Sequence, residues 1–319
     1  MAGRRDRRDI REVNEQDVVI IGGGPAGSAT AFALAHAGLT VTCVDRAHFP
    51  RSKPCAEYLS PECSRLLDAM GVLGAVERAG AAQLTGMRIR SPNGTTFTGH
   101  FLAEHGYRAF RDRGLAIPRM VLDALLLGAA RDAGVRVREG WRMSDLTRDA
   151  NGRVTGVEGH DADGRPQSLQ ARVVVGADGL RSGVARALGV ARRARRPERY
   201  ALVTHFTGVA DVGAEGEMHV EADGYVGFAD VGGGRTNVSL VVPAAQIATA
   251  RHGSGAYLAG WIGAHPHLAT RFEHATRVEP VRTTGPFASR ARRVGVAGAA
   301  LVGDAAEYFD PFTGEGVYT

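Results

Sequence analysis

Asp17-Val-Val-Ile-Ile-Gly-Gly-Gly-Pro-Ala-Gly27 is the stretch on which the reading of the fold turns. The apolar run Val18 to Ile21 predicts a buried strand, and the small residues from Ser28 to Ala37 predict a helix. Between them stands Gly22-x-Gly24-x-x-Gly27, the spacing that binds a dinucleotide when strand, turn and helix occur in that order. Gly22 permits the tight turn, Gly24 lets the backbone approach a diphosphate, and Gly27 lets the helix lie close on the strand. Pro25 and Ala26 fill the helix start, whose free N–H groups and positive dipole end favour phosphate. A second apolar strand, Thr40 to Val44, ends at Asp45, where a carboxylate can accept hydrogen bonds from a ribose; Arg46 beside it joins the candidate set.

The same unit serves NAD and FAD, and a stretch at the far end of the chain separates them. In Leu301-Val-Gly-Asp-Ala-Ala-Glu-Tyr-Phe-Asp-Pro-Phe-Thr-Gly-Glu-Gly316, a short strand over Ala299 to Val302 runs into Gly303-Asp304. The loop that follows carries Pro311, Gly314, Gly316 and Val317 and reads as the opening of a helix. A carboxylate at Asp304 suits the ribityl hydroxyls of FAD, and amides at a helix start suit negative charge on a flavin ring. A nicotinamide dinucleotide has no ribityl portion. The two stretches together predict one FAD site walled by opposite ends of the chain.

Two further segments extend the pattern. Ser52-Lys-Pro-Cys-Ala-Glu-Tyr-Leu-Ser-Pro61 and Val173-Val-Val-Gly-Ala-Asp-Gly-Leu-Arg-Ser-Gly-Val-Ala-Arg186, with the two stretches above, make the chain resemble the FAD-dependent geranylgeranyl reductase family of para-hydroxybenzoate hydroxylase-like flavoproteins. The resemblance implies an α/β fold: a Rossmann-like FAD-binding domain of the glutathione reductase/para-hydroxybenzoate hydroxylase type, interleaved with a β-sheet-rich substrate domain. It associates Asp178 with FAD and the pyridine nucleotide, and Arg119 with the cofactor phosphates. It sets Cys55 and Tyr58 against the flavin as candidate proton donors or pocket walls, a packing role for Cys55 standing beside the chemical one. The implied activity is NAD(P)H-driven, FAD-dependent reduction of carbon–carbon double bonds in a hydrophobic, prenyl or polyketide-like substrate. The family's helix continues past Gly316, so a chain that stops at Thr319 is expected to be C-terminally truncated.

One strand departs from the family. Where the reductases carry Tyr-x-Trp-x-Phe-Pro, this chain has Tyr225-Val-Gly-Phe-Ala-Asp230. Tyr225 and Phe228 remain as pocket candidates, while Gly227 replaces an indole and leaves a roomier, differently shaped pocket. This keeps a second reading open, an FAD-dependent monooxygenase of a hydrophobic or aromatic natural product. A halogenase fits less well, because Trp141 and Trp261 stand alone and Lys53, the only lysine, lies in the Pro-Cys segment. A non-enzymatic reading also stands: a truncated flavin-binding fragment without turnover.

Composition sets the outer bounds. With 319 residues and 44% apolar content the chain can bury a sizeable core, and its length predicts about two domains. No run approaches the length of a membrane span, and the Arg-rich tail from Met1 has no apolar segment behind it, so a cytoplasmic location is expected. That tail reads as disordered, with peripheral contact to an acidic surface or membrane as the alternative. A net charge of +5 on scattered basic residues gives nucleic acid binding little support. Three cysteines without paired spacing argue against a disulfide framework, and no histidine or cysteine spacing points to a metal.

The expected layout is interrupted. Residues 1–16 form the tail; 17–80, 107–195 and 286–319 form the FAD-binding domain; 81–106 and 196–285 form the substrate domain. Within the first domain, strands over Met143 to Arg148 and Arg153 to Glu158 flank Ala150-Asn-Gly152, read as a type I′ hairpin. In the second, alternating stretches at Met87–Arg90, Thr95–Thr98, Tyr200–Val209, Glu217–Glu221, Tyr225–Asp230 and Thr236–Val242 predict a sheet with one covered face, followed by a helix near Ala256 to Gly263. The cluster Arg192 to Arg196 reads as a solvated crossing between the two.

Overall fold

The computed structural model describes residues 16–102, 110–193, 198–250 and 253–318. Residues 1–15 of the tail and most of the Arg192–Arg196 cluster lie outside them, while Gln16, assigned to the tail, already belongs to the first strand. The run Gln16–Ile21 forms the central strand of a sheet ordered Gly295–Val296, Ala299–Leu301, Pro166–Gly176, Gln16–Ile21, Val41–Val44, Arg136–Arg138. Its neighbours pair with it in parallel, and both faces are covered. Side chains alternate across a strand. Val18 and Ile20 therefore pack with Ala31 and Leu127 of the helices Pro25–His36 and Arg119–Asp132, while Val19 and Ile21 pack with Leu146, Val157 and Val184 on the opposite face. Parallel strands covered on both sides read as continuous apolar runs, which is why this segment was legible.

Register carries the two chain ends to one edge. Ile21 pairs with Gly176, and Gly176 with Leu301. The turns beginning at Gly22, Ala177 and Val302 therefore open side by side at the carboxyl ends of parallel strands, the edge where open α/β sheets bind ligands.

A second sheet runs Thr276–Arg277, Arg199–Thr207, Thr236–Pro243, Gly224–Asp230, Glu215–Glu221, Gly86–Arg90, Thr96–His100, with Arg282–Thr284 also on the second of these strands. One face is closed by the helices Ala244–Ala250, Ser254–Gly263 and Pro266–Phe272, which bury Leu202, Val226, Phe228, Val238 and Leu240. The other face presents Ala201, Val203, Met218, Tyr225 and Val241 to Leu180 and Tyr308, which follow strands of the first sheet, and to Phe287, which follows Arg282–Thr284. Small and moderately apolar side chains thus front the edge where the glycine turn opens.

Three expectations need correction. The hairpin forms over Arg142–Arg148 and Val154–His160, but only Gly152 in its loop has positive φ, and a type I′ turn needs two such residues. The Asp149 carboxylate accepts from the amides of Asn151 and Arg153, holding the loop as a turn closed by a left-handed glycine. The helices Ala244–Ala250 and Pro266–Phe272 were not foreseen. After Pro311 the described chain makes a single 3-10 turn, Pro311–Thr313, and a further turn at Tyr318, whose N–H donates to the Glu315 carbonyl, in place of a helix start.

Candidate functional site

The glycine turn is built by close approach. Gly22 sits at φ +111°, and a Cβ there would lie 2.4 Å from the Ala177 carbonyl oxygen. A Cβ on Gly27 would lie 1.8 Å from the Gly22 carbonyl oxygen, so the fold itself demands both glycines. Gly24 differs: a Cβ there would meet only the Arg51 guanidinium, at 3.4 Å. Among the described residues nothing requires glycine at that position, at the mouth of a helix that starts with Pro25. Asp45 braces the turn, its Oδ2 accepting from Gly23 N at 2.8 Å and its Oδ1 from Ala47 N at 2.8 Å. Each oxygen keeps acceptor capacity for a ribose. Arg46 beside it is exposed.

The distal stretch closes on the same turn. Gly303, at φ +56°, packs so tightly that a Cβ would lie 2.7 Å from the Ala26 side chain. Asp304 follows directly; burial pushes its carboxyl above the usual range, while Lys53 and Arg119 pull the other way. Lys53 is in turn held below the ordinary lysine value by burial and by Arg119, with Asp304 and Asp123 opposing. Arg119 starts its helix buried, its Nε and Nη2 donating to Asp123 at 2.7 and 2.9 Å, and Arg51 reaches the same carboxylate at 3.1 Å. Three cations thus share two carboxylates at the mouth of the glycine turn, an excess of positive charge suited to a diphosphate. Arg51 and Lys53 were missed as site residues, although Arg51-Ser-Lys53 precedes the Pro-Cys dipeptide in plain view.

Asp178 lies next to Gly22, whose added Cβ would meet the Asp178 Cα at 3.1 Å. Its Oδ2 caps the short helix Gly183–Ala187, accepting from Gly183 N at 2.6 Å and Val184 N at 3.2 Å. Its Oδ1 is buried without a hydrogen-bond partner among the described residues, and a buried acceptor left unpaired is costly.

Cys55 sits in the loop between the two sheets. Its Sγ accepts from Glu57 N at 3.4 Å and lies against the Arg119 guanidinium; its carbonyl accepts from Asn237 Nδ2 at 2.9 Å. Tyr58 points elsewhere, into the space left by Gly314, where an added Cβ would meet its ring at 2.6 Å. Ser60 next to it donates to Glu315 at 3.0 Å, which ties Tyr58 to the C-terminal segment. Gly314 has left-handed φ +72°, Gly316 backs onto the Tyr308 ring, and Val317 packs beside the Pro61–Ala69 and Arg119–Asp132 helices. Burial drives the Cys43 thiol up to about 12, an inert core side chain.

Tyr225 and Phe228 do not share a pocket. Three positions apart on one strand, they point to opposite faces. Tyr225 faces the first sheet and donates to Asp310 at 2.5 Å, with Phe312 edge-on at 5.2 Å. Phe228 faces the helical layer, stacked on His219 at 5.1 Å and under Arg271 at 4.8 Å. Gly227 shares the Tyr225 face, where an added Cβ would sit in ordinary contact with the Glu217 carbonyl oxygen at 3.6 Å and the Met218 side chain at 3.7 Å, so a methyl fits there and Met218 packs against the position.

A buried hub was not foreseen. Glu57 accepts from Arg119 N at 2.8 Å, from His205 Nε2 at 2.7 Å and from Asn237 Nδ2 at 3.0 Å. Burial opposes charge on His205, but the Glu57 and Glu279 carboxylates outweigh it and raise its pKa.

These residues fit FAD. The open space over Gly24, the partnerless Asp178 Oδ1 and the cation excess around Arg51, Lys53 and Arg119 are features that an adenosine diphosphate with a ribityl chain would satisfy.

Comparison with known proteins agrees. The family described as FAD binding domain matches residues 15–319. A menaquinone reductase of Mycolicibacterium smegmatis is 30% identical over 324 residues, covering 94% of this chain and 72% of the relative. A digeranylgeranylglycerophospholipid reductase of Methanosarcina mazei is 29% identical, covering 95% of this chain and 72% of the relative. Among solved structures, the myxobacterial chondrochloren halogenase CndH, a variant of FAD-dependent halogenases, superposes with a TM-score of 0.88 at 26% identity, covering 95% of this chain and 71% of that one.

Proposed function

The chain belongs to the FAD binding domain family, with geranylgeranyl reductase-like enzymes among its relatives, and on that premise we propose that it reduces carbon–carbon double bonds in a hydrophobic, prenyl or polyketide-like substrate with NAD(P)H as electron donor. The observation that carries this reading is the position of Cys55 between the cation cluster and the apolar sheet face bearing Val203, Met218 and Tyr225. When bound, FAD supplies the hydride chemistry that links a nicotinamide to an acceptor carbon.

The chain's own residues divide the remaining work. Gly22, Gly24, Gly27 and Asp45 hold the adenosine half, Arg51, Lys53 and Arg119 neutralise the diphosphate, and Asp304 holds the ribityl chain. The sheet face excludes water and orients an apolar substrate. Saturating an alkene carbon pair takes one hydride and one proton, and the Cys55 thiol, whose loop is tied to that sheet through Asn237, gives the proton.

Two names among the relatives, menaquinone reductase and digeranylgeranylglycerophospholipid reductase, support a lipid-like acceptor. The departure of the Tyr225–Asp230 strand from the reductase pattern and the likeness to a halogenase favour a second reading, oxygen-dependent hydroxylation of a differently shaped substrate on the same scaffold. Anaerobic stopped-flow absorbance with a geranylgeranylated lipid that carries no quinone as acceptor separates the two: the reductase reading expects turnover without oxygen and a saturated prenyl chain, the hydroxylase reading none. In the same experiment Cys55→Ala should slow acceptor turnover by about 100-fold, the usual range for losing a general acid, and flavin reduction by NAD(P)H far less. Equal slowing of both steps would remove Cys55 from the chemistry.

A further inference from the structure

We propose that Glu57 is a positioning residue that sets Cys55 against the substrate sheet, with Asn237 and His205 holding it in place. The inference rests on the reading that Cys55 faces the substrate.

Glu57 is a carboxylate only 4% exposed, in a backbone conformation that L residues seldom adopt, φ +62°. Both features are unfavourable unless the surroundings over-determine them. The surroundings here come from three separate segments. Oε1 accepts from Arg119 N, the first amide of its helix, at 2.8 Å. Oε2 accepts from His205 Nε2 at 2.7 Å on one strand and from Asn237 Nδ2 at 3.0 Å on the next, the two residues directly paired across the sheet. Glu57 thereby joins the cofactor-side helix to the substrate sheet.

The same groups grip Cys55 from two sides. Asn237 Nδ2, already on Glu57, also donates to the Cys55 carbonyl at 2.9 Å. The Glu57 N–H donates to Cys55 Sγ at 3.4 Å. His205 braces the carboxylate from behind, its Nδ1 lying 3.3 Å from Glu279, whose side chain is 31% exposed. A glutamate serving only to cap the Arg119 helix would need neither the bend nor the two sheet partners.

Iodoacetamide labelling of the FAD-loaded protein, followed at Cys55 by peptide mass spectrometry over a pH series, is read at its plateau rate, where the rate reports access alone. Releasing the loop in Glu57→Ala should raise that plateau about fivefold or more. Leu268→Ala, which empties a fully buried position on the helical side of the sheet, controls for general destabilisation and should leave the plateau unchanged. Should Glu57→Ala not yield folded protein, Asn237→Ala, which deletes the amide bridging Glu57 and Cys55 together with a hydrogen bond from Ser239, decides by the same criterion. A smaller rise, or an equal rise in Leu268→Ala, overturns the proposal. Labelling needs no turnover, so loss of the reductase reading would leave this result standing, and a flat plateau would sink the positioning role in a fully active reductase.

Discussion

Gly24 and Gly27 look alike in the sequence and do different things in the fold. Alanine at Gly27 would set a methyl 1.8 Å from the Gly22 carbonyl oxygen, so Gly27→Ala should disrupt the turn and lower the unfolding temperature. Alanine at Gly24 meets only a movable arginine, so Gly24→Ala should unfold within about 2 °C of the wild type while FAD affinity falls about tenfold or more. Thermal unfolding and flavin titration on both variants check this; an equal loss of stability would mean that Gly24 serves the fold. Spacing exposed these glycines because the turn is local. Glu57, His205 and Asn237 stayed invisible because their contacts span 148 and 180 positions of sequence, and each taken alone is an ordinary polar residue.

Elements with a strong period were legible and short ones were not. The six alternating stretches of the second sheet all form strands, but the expected single covered face does not hold: Thr236–Pro243 is buried at every position except Pro243, with the helices on one face and Leu180, Phe287 and Tyr308 on the other. Ala244–Ala250 and Pro266–Phe272 have seven residues each, too short to be helical by themselves, and exist because the sheet face holds them. For the second of these helices the hold is ionic as well as apolar. Arg271 donates to Glu217 from Nη1 at 2.6 Å and from Nη2 at 2.9 Å, over the Phe228 ring. Burial would raise the Glu217 carboxyl, but Arg271 and His219 outweigh it and bring it from 4.5 to about 2. A depressed carboxylate stabilises above its unfolded value and loses that contribution as pH falls through the folded one. The pair should therefore contribute on the order of 3 kcal/mol at neutral pH, lost between about pH 4.5 and about pH 2. Chemical denaturation across that window should be markedly less steep in Glu217→Gln; an unchanged slope would contradict the assignment.

At the scale of the whole molecule, the account depends on remote segments meeting at one edge of a parallel sheet. Ile21, Gly176 and Leu301 stand in register, Gly303 presses on Ala26, and Asp304 faces the Lys53 and Arg119 cations. That convergence could be read from two motifs at opposite ends of the chain because each encodes a strand and its turn, and a parallel sheet brings such turns together. Which face each side chain of the Tyr225–Asp230 strand would take was not read correctly, since a pocket shared by Tyr225 and Phe228 ignores the two-residue period. The most direct measurement is a fluorescence titration of the flavin-free protein with FAD, repeated on Asp304→Ala. The expected result is saturation at one FAD per chain, with affinity about tenfold or more weaker in the variant. Absence of saturable binding, or equal affinity in the two proteins, would contradict a site built from both ends of the chain.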